Sequence, residues 1–169
     1  MISVRRIRPD DGPLLRRTRL AALADSPTAF LGTVEQAAAR SAEHWDTAAA
    51  ANASGMSQAT FFAEDTDKGE TAGMVGAYVM ADGVAHMDGL WSAPGYRSVG
   101  VADALVADLV DWAQRTGAHQ LRLWVLERNE QARQFYVDKG FVPTGATMPY
   151  EQDPTGRQVE MIRPLDTPV

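Results

Sequence analysis

The sequence contains no cysteine, and this absence excludes several kinds of chemistry at once. Disulfides, thiolate-bound metals and a cysteine nucleophile all need a thiol, so none of them is expected. No apolar run approaches the roughly 20 residues that a membrane-spanning helix needs. The first residues also lack the apolar core of a signal peptide. We therefore expect a cytoplasmic protein without a membrane partner.

Positive charge is scarce as well, because 16 Lys and Arg stand against 22 Asp and Glu, for a formal net charge of −6. Proteins bind nucleic acid mainly through clustered cations, so no nucleic-acid partner is expected. The three-glycine dinucleotide fingerprint and the Gly-Lys-Ser/Thr phosphate loop are both missing. With 169 residues, of which 45% are apolar, the chain is predicted to form a single domain over residues 1–169.

Apolar periodicity predicts strands and helices in the order βααβββαβαββ. The predicted strands cover residues 2–8, 58–64, 71–80, 84–92, 119–126, 141–146 and 158–165, and the predicted helices 11–24, 42–51, 99–116 and 129–139. Asp10 or Asp11 is expected to cap the first helix, and Ser41 the second. Residues 28–32 are predicted to form an irregular link and 148–156 a loop. This order indicates an α/β protein with a mixed sheet and helices on both faces.

One stretch, near the middle of the chain, combines the end of a strand, a short loop and the start of an amphipathic helix near Val99 or Gly100. The first N–H groups of a helix lack intrahelical partners and lie at its positive end, so they bind anions. Small residues at Ser98, Gly100 and Ala102 let a phosphate approach the backbone, and Arg97 adds a fork-shaped cation. Taken alone, the pattern also fits an ordinary strand–helix junction.

The residues from Arg97 to Ala102, RSVGVA, resemble the Q/R-x-x-G-x-G/A signature of the GNAT superfamily of acetyl-CoA-dependent N-acyltransferases. A second run, from Asn129 to Phe141, resembles that family's N-x-x-A-x-x-x-Y-x-x-x-G-F pattern. Both occur in the family's order, on its plan of strands and helices. The chain is thereby identified as a member, and the resemblance implies the GNAT fold, a mostly antiparallel central sheet with two splayed parallel strands.

The resemblance further implies acetyl-CoA as co-substrate, without a metal. In the family, the pantetheine arm enters the gap between the splayed strands, pairing with the backbone of the first, and the following helix takes the pyrophosphate. The coenzyme-binding positions implied here are Leu90, Trp91, Ser92, Arg97, Ser98, Val99, Gly100, Val101, Ala102, Asp103 and Asn129. Asn129 has a second interpretation as a simple helix cap.

Acetyl transfer to an amine needs a base for the amine, donors for the oxyanion and a proton for the leaving thiolate. Tyr136 matches the position that the family often uses as general acid toward the sulfur. His86 and Asp88, two apart on one strand and so on one sheet face, fall where some relatives carry a catalytic Glu or His. Alternatively, His86 and Asp88 only form a solvated strand face, or a chain of water molecules removes the proton from the amine. Trp124 stands where other relatives carry a catalytic Glu on the next strand.

Three hypotheses for the acceptor follow: a small primary amine, a peptide or protein amine, or no acceptor at all in a non-catalytic acyl-CoA-binding module. A group of acids is expected to form an acidic cleft that favours an amine: Glu35, Asp88, Glu127, Glu151 and Asp153. Phe30 and Trp45 are expected on the acceptor side. Dimers are common in the family, and the sequence leaves both the oligomeric state and the acceptor open.

Overall fold

The computed structural model of the protein describes residues 1–27, 30 and 32–166. Its strands are β1 (Ile2–Arg6), β2 (Gln58–Asp65), β3 (Glu70–Val79), β4 (Val84–Ser92), β5 (Gln120–Leu126), β6 (Val142–Tyr150) and β7 (Asp153–Pro164). Its helices are α1 (Gly12–Asp25), α2 (Val34–Ala38), α3 (Ala42–Asn52), α4 (Val101–Arg115) and α5 (Glu130–Asp138). Of the predicted link 28–32, residues Thr28, Ala29 and Leu31 lie outside the described part.

The strands form one sheet in the order β1-β2-β3-β4-β5-β7-β6. Neighbouring strands run antiparallel except β4 and β5, which are parallel. A parallel pair needs a crossover connection, and α4 supplies it between these two strands. The predicted mixed sheet with helices on both faces is confirmed.

Each face of the sheet has its own apolar core. Leu105 and Leu109 of α4 pack on one face with Phe61, while Leu15 of α1 and Trp45 of α3 pack on the other with Phe62. Side chains alternate along a strand, so the neighbouring phenylalanines of β2 enter different cores. Both cores hold their helices rigidly against the strands that carry the candidate site.

Strand β4 is interrupted by a β-bulge, in which Gly89 and Leu90 lie opposite a single residue of β3. Gly89 has a φ of +63°, a left-handed conformation that glycine adopts without steric penalty. Past the bulge the alternation is reset, so Leu90 packs toward the α4 side and Trp91 toward the α1 side. The residues before the bulge and those after it therefore do not follow one continuous alternation of side-chain direction.

Two predictions about local structure were wrong. Helix α2 was not predicted, although Thr33 and Gln36 form a capping box that the sequence displays as T-x-x-Q. Asp11 precedes α1 but does not cap it, because its carboxylate accepts hydrogen bonds from the Arg5 guanidinium and the backbone N–H of Arg8. Ser41 does cap α3, as predicted, by accepting from the backbone N–H of His44.

The loop predicted over 148–156 is also wrong, since β6 and β7 extend to a tight turn at Glu151 and Gln152. The Pro, Asp and Gly residues of this stretch, Pro149 among them, predicted a break between the two strands. Strand β6 lies at the edge of the sheet, however, where the missing N–H of proline is tolerated. The last hairpin is consequently longer than its sequence pattern indicates.

No helix in the described ranges combines the length and the apolar character that crossing a bilayer would require.

Gly73 of β3 allows the start of α4 to approach the sheet closely. A Cβ atom at this position would lie 2.5 Å from the carbonyl oxygen of Trp91 and 2.8 Å from Cγ1 of Val101. Contacts this short force the backbone apart. The absence of a side chain at Gly73 thus sets the distance between β3 and the first turn of α4.

We expect Gly73→Ala to lower the free energy of unfolding by about 1–3 kcal/mol, because the added methyl group overpacks a closed junction. Gly156→Ala is the matched control, since its Cβ would meet no atom nearer than 3.5 Å. Urea unfolding of the three proteins measures both effects. Equal stability of the Gly73 variant and the control would contradict this explanation.

Candidate active site

The candidate site lies where β4 and β5 separate. The two strands pair over three residue pairs, from Val84 with Gln120 to His86 with Arg122. Beyond this point β4 continues to pair with β3, and β5 with β7, up to the end of each strand. We call the gap between residues 87–92 of β4 and residues 123–126 of β5 the cleft. Its strand edges do not pair with each other within the described chain.

The loop that follows β4 begins with a tight turn. The backbone N–H of Tyr96 donates to the carbonyl oxygen of Ala93 at 2.9 Å, and Gly95 has a φ of +90°. Pro94 and Gly95 occupy the positions that a type II turn favours for these residues. The hydroxyl oxygen of Tyr96 lies 2.9 Å from carboxylate oxygens of Asp65 and Glu70, which anchors the loop to the β2–β3 hairpin.

Helix α4 begins at Val101, two residues later than the earliest predicted start, because Gly100 has a left-handed backbone with a φ of +85°. No side chain caps this end of the helix. The first intrahelical bond runs from Ala104 to Gly100. The N–H groups of the first turn, up to Asp103, therefore lack intrahelical acceptors and lie at the positive end of the dipole.

Arg97 lies beside this turn and is already engaged. Its guanidinium forms an ion pair with Asp25 at the end of α1 and donates to the carbonyl oxygen of Ser92 at 3.2 Å. Asp25 also accepts from Nε1 of Trp91 at 2.9 Å, and this hydrogen bond is the main reason that the pKa of Asp25 lies below its ordinary value. The Arg97 side chain is 53% exposed, so a ligand can reach it.

Two other predicted coenzyme-binding residues also have partners. The carboxylate of Asp103 in the first turn of α4 forms an ion pair with Lys139 at the end of α5. The side-chain oxygen of Asn129 accepts from the backbone N–H of Ala132 at 3.1 Å, so its interpretation as a helix cap is confirmed. A role for Asn129 toward the coenzyme stays a prediction.

Tyr136 on α5 packs edge-on against Phe135 and Phe141, with ring centroids 5.4 and 5.6 Å away. Its side chain is half-buried, and no residue in the described part of the chain hydrogen-bonds its hydroxyl. The surrounding protein raises the pKa of Tyr136 to about 12, because it disfavours the phenolate. The phenol therefore carries its proton at neutral pH and has it available to donate.

Asp88 and His86 share one face of β4, as their spacing predicts. Asp88 lies opposite Gly76, where an added Cβ would come within 2.8 Å of its carboxylate, so that glycine makes room for it. The Asp88 side chain is accessible to solvent although protein atoms crowd it. Because its side chain is exposed, a ligand can reach Asp88. The surrounding protein atoms raise the pKa of Asp88, and the positive charge of Arg19 acts in the opposite direction.

His86 stacks on Tyr78 with ring centroids 5.0 Å apart and an angle of 5° between the rings. Burial, and then the charge of Arg122, lowers the pKa of His86 below its ordinary 6.5. The imidazole is therefore neutral at pH 7 and able to accept a proton. His86 lies at the last paired position of β4, and Asp88 lies beyond it, at the start of the cleft.

A carboxylate that sequence reasoning missed lies beside Trp124. Glu160 of β7 is the cross-strand partner of Trp124. It accepts from the hydroxyl of Thr144 at 2.8 Å and lies 3.3 Å from the guanidinium of Arg122. The β5–β7 register brings these residues together, and no local sequence pattern announces it.

The five acids expected to form an acidic cleft do not all carry unbalanced charge. Glu127 forms an ion pair with Arg157 at 2.9 Å, and Asp153 one with Arg128 at 2.8 Å. Each ion pair joins β7 to the loop that follows β5, and in each the arginine neutralises the carboxylate. Of the five, Asp88 is the acid that the structure places at the cleft.

The tip of the last hairpin packs against the side on which the acceptor was expected. The side-chain amide of Gln152 donates to the carbonyl oxygens of Gly32 at 2.8 Å and Phe30 at 3.3 Å. A cavity of about 250 Å³ lies between this tip, the end of α1 and α2, where Glu35 lines it. Phe30 and Trp45 are both buried in the core on this face. Within the described ranges no three His, Asp or Glu side chains cluster as metal ligands.

Ser98 has a φ of +80°, and no other non-glycine residue in the described part of the chain has a positive φ. We expect Ser98→Gly to raise the free energy of unfolding by about 1 kcal/mol, since glycine relieves left-handed strain. Ser57→Gly, at a position whose own φ is not positive, serves as control and should be neutral or destabilising. Thermal unfolding compares the two, and a destabilised Ser98 variant would refute the strain.

A family model and several solved structures are similar to this chain. The family model described as "Acetyltransferase (GNAT) family" matches residues 21–141, a range that contains the separating strands, the start of α4 and Tyr136. No curated protein sequence matches the chain.

Several solved structures are similar in fold. A GNAT-family acetyltransferase from Streptococcus pneumoniae is 20% identical with a TM-score of 0.77, over 98% of this chain and 100% of the other. The ribosomal-protein-S18-alanine N-acetyltransferase of Escherichia coli is 18% identical with a TM-score of 0.69, over 100% and 97%. A Bacillus anthracis protein assigned as a streptothricin acetyltransferase, in complex with acetyl coenzyme A, is 18% identical with a TM-score of 0.61, over 69% and 67%.

Proposed function

Because the chain belongs to the GNAT family of acetyltransferases, we propose that it moves an acetyl group from acetyl-CoA to the primary amine of a small molecule. One observation carries this proposal. Strands β4 and β5 separate after three residue pairs, and α4 begins without a side-chain cap shortly after β4 ends. An extended chain fits between the two strand edges, and its anionic end fits the start of the helix.

In this proposal the backbone of Leu90, Trp91 and Ser92 pairs with the amides of the pantetheine arm, because no strand of the described chain pairs with the β5 side of β4 there. The N–H groups between Ser98 and Asp103 hold the diphosphate. Arg97 turns from Asp25 to the diphosphate, exchanging one anion for another. The acetyl-CoA bound to the Bacillus anthracis relative is consistent with such a donor.

The reaction forms one C–N bond and breaks one C–S bond. The neutral amine attacks the thioester carbonyl, the oxyanion accepts hydrogen bonds from the backbone of β4, and the thiolate leaves with a proton. An alkylammonium with a pKa of about 10 cannot attack, so a base must first remove its proton. Asp88 removes one proton from the ammonium before attack, and the nitrogen loses a second proton to water after attack. Tyr136 supplies the proton for sulfur and recovers one from water.

We expect Tyr136→Phe to lower kcat about 100-fold or more, because general acid catalysis typically contributes that much. The phenylalanine keeps the ring contacts with Phe135 and Phe141, so packing is preserved. Thiol release with acetyl-CoA and an amine panel measures kcat, and calorimetry shows whether coenzyme affinity is unchanged. An unaltered kcat would remove the acid role.

The base is assigned to Asp88 because it lies beyond the last β4–β5 pair, at the start of the cleft. In this proposal His86, two residues back on the same face of β4, passes the proton on to solvent. Water alone would serve as base only if neither residue mattered to the rate.

This assignment predicts the pH dependence of kcat/KM. Asp88 is active when deprotonated, so the rate should rise through a pKa that lies above the ordinary 3.8 of aspartate. Asp88→Asn should abolish this limb and lower the rate about 100-fold. Loss of the Tyr136 proton should not reduce activity until the pH nears its pKa of about 12. If His86→Gln removes the limb and Asp88→Asn does not, His86 is the base.

A protein amine is the second candidate acceptor, and the similarity to the Escherichia coli ribosomal-protein-S18-alanine N-acetyltransferase favours it. The hydrogen bonds from Gln152 to Gly32 and Phe30 favour the small molecule instead, since they close the side on which a polypeptide would lie. A non-catalytic acyl-CoA-binding module would bind the coenzyme without acetylating either kind of amine.

A further inference from the structure

Arg19 of α1 lies against the cleft, and no residue in the described ranges forms an ion pair with it. The Arg19 side chain makes no hydrogen bond with any residue in the described part of the chain. Its guanidinium lies over the ring of Phe30, 5.4 Å from the centroid. One of its terminal nitrogens would be 2.9 Å from a Cβ atom at Gly89, so the bulge glycine provides the space for it.

The position of Arg19 places a cation beside the anion proposed as base. Asp88 directly precedes Gly89, and the two charges influence one another without forming an ion pair. Arg19 is half-buried, and none of its nitrogens is both fully buried and unpartnered. Its donors therefore face water that a ligand can displace. A planar guanidinium matches a carboxylate through two parallel hydrogen bonds.

From this pair of charges we infer that the acceptor is a primary amine that itself carries a carboxylate, such as an amino acid. Its ammonium group lies at Asp88 and its carboxylate at Arg19. The inference rests on the proposed acetyl transfer and specifies its substrate class. Arg19 is then a specificity-determining residue, which holds the end of the acceptor that does not react.

Arg19 has one competing role, which is to position Asp88 and adjust its charge. That role would affect every acceptor equally, because every amine needs the base. A binding role affects only acceptors with a carboxylate. Matched acceptors that differ in this group alone therefore separate the two roles.

The experiment measures thiol release from acetyl-CoA with amino acids, with the corresponding amino acid amides, and with the amines that lack the carboxyl group. Wild-type protein should show kcat/KM at least about tenfold higher for the carboxylate-bearing acceptors, mainly through KM. Arg19→Gln should lower that value about 10- to 100-fold and change the amides less than about threefold. Arg19→Lys should recover part of it, since it keeps the charge but loses the fork.

Arg17→Gln is the matched control, because Arg17 is an exposed arginine on the same helix. Equal rates with acids and amides in the wild type would overturn the inference, as would an equal loss with both in Arg19→Gln. Either result leaves the acetyl transfer intact. If acetyl-CoA binds but no amine of any class releases thiol, the proposed function is wrong, and this inference with it.

Discussion

The structure depends on one constraint, which is that the edges of β4 and β5 stop pairing after His86. Backbone N–H and C=O groups need partners, and in a sheet the adjacent strand normally provides them. Here β3 and β7 hold each strand from its outer side, while the inner edges face each other across the cleft. The sheet stays continuous at one end and opens at the other. A strand-like ligand is what such an opening accommodates.

Helix α1 borders this opening on the β4 side. Its last residue, Asp25, accepts from Trp91 of β4 and pairs with Arg97 of the loop that leads to α4. Arg19, earlier on the same helix, lies over the bulge at Gly89. The helix therefore contacts both the loop proposed to hold the diphosphate and the surface proposed to hold the acceptor. If the end of α1 moved when Arg97 exchanged Asp25 for the diphosphate, both the loop and the acceptor surface would change.

Periodic and locally encoded features were predictable from the sequence. The bounds of β4 match the prediction residue for residue, and Ser41 caps α3 as expected. Features that depend on distant partners were not predictable. Asp11 has the composition of a helix cap, yet the Arg5 guanidinium competes for it. Pro149 lies in a stretch whose composition indicates a loop, and only the place of β6 at the sheet edge makes this proline compatible with pairing.

The sequence by itself determined the fold class, through its periodic pattern and its two family motifs, and the same motifs indicated the side of the site proposed for the coenzyme. The strand, loop and helix start around Arg97 are adjacent in the chain, and so are Asn129 and Tyr136 on α5. The side proposed for the acceptor was decided by the tertiary structure. Sheet register and helix packing bring Arg19 beside Asp88, and the β5–β7 register sets Glu160 opposite Trp124. Those contacts join residues far apart in the chain, and their energies depend on a geometry that no local pattern records.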